Sequence, residues 1–126
     1  MKVGLFLNTQ FPPGTSVAAQ IPNLVAQTRA ARDAGFASLW FPHHYLTGPL
    51  QMLQIVPMMA YLAQHAEGMQ IGPNILILPL LNPVHVAEES ATLDVVTEGN
   101  YVLGVGLGYR EGEFTAFNTS QGLPCG

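Results

Sequence analysis

The stretch QIGPNILILPLLNP, Gln70 to Pro83, constrains the fold more than any other part of the chain. Ile75 to Leu78 is apolar without alternation, so a strand built from it is expected to be buried on both faces. Asn82-Pro83 then reads as a helix start, with Asn as N-cap and Pro at the first helical position. A doubly buried strand that runs straight into a helix belongs in a parallel sheet covered by helices. Asn74 is the side chain in that strand able both to donate and to accept hydrogen bonds. If buried, it must complete a backbone network or face a ligand.

The same alternation recurs along the chain. Apolar runs predict strands over Lys2 to Asn8, Ala37 to Pro42 and Tyr101 to Leu107. Between them, helical spacing predicts a helix from about Ser16 or Gln20 to Ala34, with Ser16 as a candidate N-cap, Pro22 either in the first turn or kinking an earlier start, and Gly35 as the stop. A second helix is predicted from Met52 to Ala66, with Pro57 near its first turn and Gly68 at its end. A third follows Asn82 and stops at Gly99, with Val84, Ala87, Ala91 and Val95 as its inner face. Arg110 to Phe117 reads as a short helical turn. Strict alternation with short loops implies right-handed βαβ units and a parallel α/β architecture. Periodicity leaves an open doubly wound sheet and an arc of a barrel equally compatible.

Composition narrows the function. The chain has 126 residues, of which 48% are hydrophobic and 10% charged, with a net charge of -4. Fixed cations are confined to Lys2, Arg29, Arg32 and Arg110, which leaves no basic footprint for nucleic acid and no polybasic membrane patch. The low charge predicts a large apolar surface that a partner or further chain covers. The single Cys125 excludes an intrachain disulfide, and no apolar run reaches the roughly 18 residues of a membrane span. With no signal peptide expected, a cytoplasmic protein is anticipated.

Parallel α/β folds place their sites at the carboxyl ends of the strands. There the sequence puts Asn8-Thr9-Gln10, His43-His44-Tyr45, Leu78 to Asn82 and Gly106 to Arg110. Neighbouring His43 and His44 on an extended chain diverge, which disfavours joint metal binding. One of them can tie down a loop, or one can point into the site as a proton-transferring group. Gly104, Gly106 and Gly108 do not form a dinucleotide fingerprint, since no long helix follows them. They allow either close backbone approach to a planar ligand or close packing of a neighbouring strand. No serine lies in a GxSxG setting, and Glu88-Glu89 reads as a solvated or partner-facing edge.

Four segments together resemble the N-terminal part of bacterial luciferase-like flavin-dependent monooxygenases: MKVGLFLN, GFASLWFPHHYLTGP, IGPNILILPLLNPVHVAEESATLDVVTEG and YVLGVGLGYREGEFTAFN. The resemblance runs from Met1 to about Phe117 and is most specific in LPLLNPVHVAEESATLDVVTEG with the GVGLGYREGEF that follows. It implies a TIM-type (β/α)8 barrel of roughly 300 residues, with residues 1–117 supplying its first four strands. Residues 118–126 are then expected to be an irregular tail left by truncation.

The resemblance also implies a reduced flavin, FMN supplied by a reductase or the deazaflavin F420, lying across the strand ends and acting with oxygen or by hydride transfer on a small organic substrate. His44 matches the family's acid-base histidine, while His43 stands where Glu, Asp or Gln is usual. Asn74-Ile75 matches a non-proline cis peptide beneath the flavin, and Gly106 matches a position near its reactive edge that some luciferase subunits fill with Cys. Asn100 replaces the usual Arg. Asn8, His44, Asn74, Ile75 and Gly106 are therefore the expected cofactor-site residues, His44 the catalytic one, with no metal. A homodimer through the apolar second and third helices is expected. The alternative is a non-catalytic flavin-binding or dimerising fragment.

Overall fold

A computed structural model describes residues 1–119. The elements run β1 (Gly4–Phe6), β2 (Gln10–Phe11), α1 (Val17–Asp33), β3 (Ser38–Phe41), β4 (Gln51–Met52), α2 (Ile55–Ala63), β5 (Gln70–Pro73), β6 (Leu76–Ile77), α3 (Pro83–Val96), β7 (Val105–Gly106) and α4 (Glu111–Ala116). β1, β3 and β5 pair in parallel in that order, Leu5 opposite Leu39 and Leu39 opposite Ile71. The next strand joins through a parallel bridge between Ile71 and Tyr101 and through the β6–β7 pair. Four parallel strand segments thus stand in sequence order with no reversal.

All three long helices share one core with the sheet. Leu24 and Ala31 of α1, Met59 and Leu62 of α2, and Val86 and Leu93 of α3 pack with Leu7, Leu39, Phe41, Ile71 and Leu76. Helices on one face of an unreversed strand order are the arrangement of a barrel wall, since a doubly wound sheet reverses its order to cover both faces. At the end of β1 the alternation is visible directly: Phe6 is 51% exposed, while Leu7, the next residue, is buried.

Local signals explain the helix ends. The Ser16 hydroxyl accepts from the Ala19 N–H, which starts α1 at Val17 and places Pro22 in the second turn instead of the first. Gly35, at φ +82°, closes α1 with Gly35 N–H donating to Arg32 and Phe36 N–H to Ala31, the paired bonds of a Schellman end. At α3 the Asn82 side chain accepts from the Val84 N–H and Pro83 opens the helix as expected. Its C-terminal turn uses two left-handed residues, Glu98 at φ 55° ahead of Gly99 at φ 80°.

Four expectations need correction. The α3 face turned to the core is Val86 and Leu93, whereas Val84 and Val95 are 64% and 77% exposed. Apolar residues lie all round this helix, so its period did not select a face. α2 begins at Ile55, because Gln51–Met52 pairs antiparallel with Gln10–Phe11 to form a small flap above the strand ends. The strand from Gln70 does not run on through Leu78: it breaks between Pro73 and Leu76, and Leu78–Leu80 forms a 3-10 turn. Pro79 cannot donate to a ladder, which stops the strand there. Asn74, expected to be buried, is exposed at the break. Asn118, at φ 52°, and Thr119, whose N–H donates to Phe114, close α4, and the rest of the expected tail lies outside the described residues.

Candidate active site

The strand break opens a cavity at the carboxyl ends of the strands. It measures about 480 Å³ and is lined by Phe6 from β1, Pro42, His43 and His44 after β3, Asn74, Ile75 and Ile77 around the break, and Gly106 to Tyr109 after the last strand. The Asn74-Ile75 peptide bond is cis, the geometry the resemblance implied. Before it, Asn74 N–H donates to Phe41 of β3, and after it Leu76 N–H donates to Gly104 of the last strand. The third strand therefore bonds both neighbours up to the break, and beyond it the ladder continues with the last strand. Four of the five expected cofactor-site residues, His44, Asn74, Ile75 and Gly106, meet at this cavity. Asn8 does not line it, and its side-chain amide closes on the backbone of Gln10.

The adjacent histidines have different tasks. His43 is 4% exposed, and its Nδ1 accepts the Ile77 N–H at 2.9 Å, so it pins the end of β3 to β6. Burial lowers its pKa from 6.5 to about 4, with Glu113 opposing and His44 assisting the shift. An unfolded His43 takes up a proton below pH 6.5, but the folded one resists until about pH 4. Its contribution to stability is thus complete above pH 6.5 and is lost as pH falls through that window, by about 3 kcal/mol at most. Melting curves should show this acid loss in the wild type. His43→Asn, which keeps an acceptor but cannot charge, should flatten it. An unchanged acid limb in that variant would contradict the assignment.

His44 is held differently, at the mouth of the same cavity. Its side chain is 20% exposed, its Nδ1 lies 3.1 Å from Glu113 Oε1, and its ring meets Tyr109 edge-on at 5.7 Å. Gln54 Nε2 donates to the His44 carbonyl at 3.0 Å. α4 closes this corner: Glu113 Oε1 accepts the Tyr45 N–H, Arg110 reaches the Tyr45 carbonyl, and Phe117 packs on the Tyr45 ring.

Of the glycine series, Gly104 packs closely on a neighbouring strand, as Gly72 also does, while Gly106 and Gly108 lie along the cavity. A Cβ on Gly72 would fall on the Val102 carbonyl, one on Gly104 on the Pro73 carbonyl, and one on Gly106 within 2.7 Å of Ile75 Cδ1. Gly106 thus leaves the space that the Ile75 side chain occupies, and no thiol stands there.

A family profile described as luciferase-like monooxygenase matches residues 1–124. The chain belongs to the luciferase-like monooxygenase family. The alkanal monooxygenase alpha chain of Photorhabdus laumondii is 29% identical over 121 residues, which are 96% of this chain and 34% of that protein. The fold is similar to the oxygenating constituent of 3,6-diketocamphane monooxygenase from Pseudomonas putida, a type II Baeyer–Villiger monooxygenase solved with FMN, at TM-score 0.80 and 21% identity over 93% of this chain and 32% of that one. It is also similar to an F420-dependent secondary alcohol dehydrogenase in complex with an F420-acetone adduct, at TM-score 0.70 and 24% identity over 85% and 32%. The chain spans about a third of the length of the curated relatives it matches.

Within this family frame, sequence reading missed Glu113, the side chain that partners His44 Nδ1. The two are 69 positions apart, and Glu113 is 1% exposed on a helix of six residues. The available signal was the spacing of Glu113 and Phe114, a buried pair opening a short helix directly after the glycine-rich strand.

Proposed function

We propose that this chain forms the first four strands of a (β/α)8 luciferase-like oxidoreductase in which reduced FMN or F420 lies across the strand ends. The observation that carries this reading is the cavity that gathers His44, Asn74, Ile75 and Gly106. Its lining suits a flat ring system: Phe6, Ile75 and Leu107 offer apolar faces, and His44 and Asn74 offer polar atoms at the margin. No Lys or Arg is among these lining residues, so a cofactor phosphate would be held elsewhere. A bound reduced flavin supplies the electrons for oxygen or hydride chemistry on a small organic substrate. His44 gives or takes the proton at the ring margin, Asn74 and Ile75 orient the ring, and the apolar walls exclude water. A flavin reductase would be the partner that delivers reduced FMN in a cytoplasmic setting.

A second reading, a non-catalytic flavin-binding or dimerising chain, is supported by the exposed stripe Val84, Ala87, Ala91 and Val95 on α3. The stripe and the neighbouring surface of α2 form the surface we assign to a homodimer. Fluorescence titration with FMN and with F420 tests the main reading. Saturable binding weaker than about 1 μM is expected, because phosphate contacts are missing from the cavity lining. Absence of saturation with either flavin would defeat it. Oxygen uptake with reduced FMN and aldehydes or alkanesulfonates then separates the readings, since a stable dimer without uptake for any donor supports the second.

A further inference from the structure

We propose that Glu113 is a positioning residue that holds the His44 imidazole with its proton on Nδ1, presenting Nε2 to the cavity as a proton acceptor. The proposal rests on the reading of His44 as the acid-base residue and adds how that residue is made competent.

The argument is one of donors and acceptors around a single oxygen. Glu113 Oε1 accepts the Tyr45 N–H at 2.6 Å, with Arg110 Nη1 at 3.9 Å. A backbone N–H and a guanidinium can only donate. With Glu113 as a carboxylate, Oε1 can only accept, so His44 Nδ1, 3.1 Å away, faces it with an N–H. His43 is fixed the opposite way, because its Nδ1 accepts the Ile77 N–H and its proton must sit on Nε2. Two neighbouring rings thus carry opposite tautomers, one consumed by a strand-pinning bond and one with an open basic nitrogen. A neutral imidazole left to itself carries its proton mainly on Nε2, so the His44 arrangement needs an acceptor to impose it.

Burial makes that acceptor rigid. Glu113 is 1% exposed, and its Oε2 is buried without a hydrogen-bond partner among the described residues. A carboxylate so placed depends on the donors at Oε1, and it gains a full ion pair when His44 Nε2 takes up a proton. The carboxylate, the Gln54 bond to the His44 carbonyl and the Tyr109 ring edge together restrict the imidazole's orientation.

Nitrogen-15 histidine NMR of the flavin-free protein reads both tautomers directly. The expected wild-type result is a protonated Nδ1 on His44 and a protonated Nε2 on His43. Glu113→Leu should move the His44 proton to Nε2 while the His43 pattern persists, which shows that the local fold survives. Glu113→Asp, which keeps a carboxylate, should hold the wild-type His44 pattern. A His44 that carries its proton on Nε2 in the wild type, or keeps it on Nδ1 in Glu113→Leu, overturns the proposal. If Glu113→Leu also loses the His43 pattern, the wild-type and Glu113→Asp spectra decide, and a wild-type pattern not kept by the aspartate overturns it. Flavin titration of the wild type is independent of these spectra, so failure to bind flavin defeats the proposed function while leaving the tautomer result to stand or fall separately.

Discussion

Replacing His44 with alanine is expected to slow turnover of the flavin-loaded protein by about 10²–10⁴-fold, the usual span for a positioned acid-base group. Flavin affinity should stay within a few-fold of the wild type, because the walls that meet the ring, Phe6, Ile75 and Leu107, are untouched. The substitution takes one partner from buried Glu113 but leaves the Tyr45 N–H on the same oxygen. His44 is held through its carbonyl by Gln54, and that bond survives the loss of the ring. The side chain removed is partly exposed and belongs to neither apolar core cluster. Oxygen consumption, or flavin reoxidation coupled to product, measures the effect in the holoenzyme. Turnover within ten-fold of wild type would remove His44 from the acid-base role.

The second large effect is expected far from any proton. Gly72→Ala should destabilise the fold by about 3 kcal/mol, near the upper end for overpacking. The new methyl would land on the Val102 carbonyl, with the Trp40 ring 3.3 Å away, and neither backbone can step aside without parting the third and fourth strands. Gly106→Ala provides the contrast. Its clash is with the side chain of Ile75, which can rotate, so a loss of about 1 kcal/mol is expected together with a displaced Ile75 in the cavity. Denaturant midpoints at constant slope compare the two. A Gly72→Ala protein as stable as the wild type would show that the strands are not held this closely.

The alternation of strands and helices, the Asn82-Pro83 start of α3 and the Gly35 end of α1 were legible in the sequence because each rests on neighbours within one turn of chain. The helix face of α3 was not. Val84 and Val95 are as apolar as Val86, and only the position of β5, β6 and α2 decides which of them is covered. The β2–β4 flap was equally hidden, since two-residue strands carry no periodicity and pair across 42 positions. The glycine series was ambiguous for the same reason, because its meaning lies in what stands opposite: Pro73, Ile75 and Ile77.

For the site, the family resemblance implied Asn8, His44, Asn74, Ile75 and Gly106, and the fold brought all but Asn8 to one cavity. Which histidine pins a strand and which pairs with a buried carboxyl group is a tertiary decision, made by the Ile77 N–H on one side and Glu113 on the other. By itself, the sequence determined the alternating parallel architecture, the strand-end location of the site and membership of the luciferase-like monooxygenase family, since these depend on patterns short enough to read along the chain. The tertiary structure alone decided that Glu113 reaches His44, because a hydrogen bond needs two groups about 3 Å apart and sequence separation says nothing of that distance.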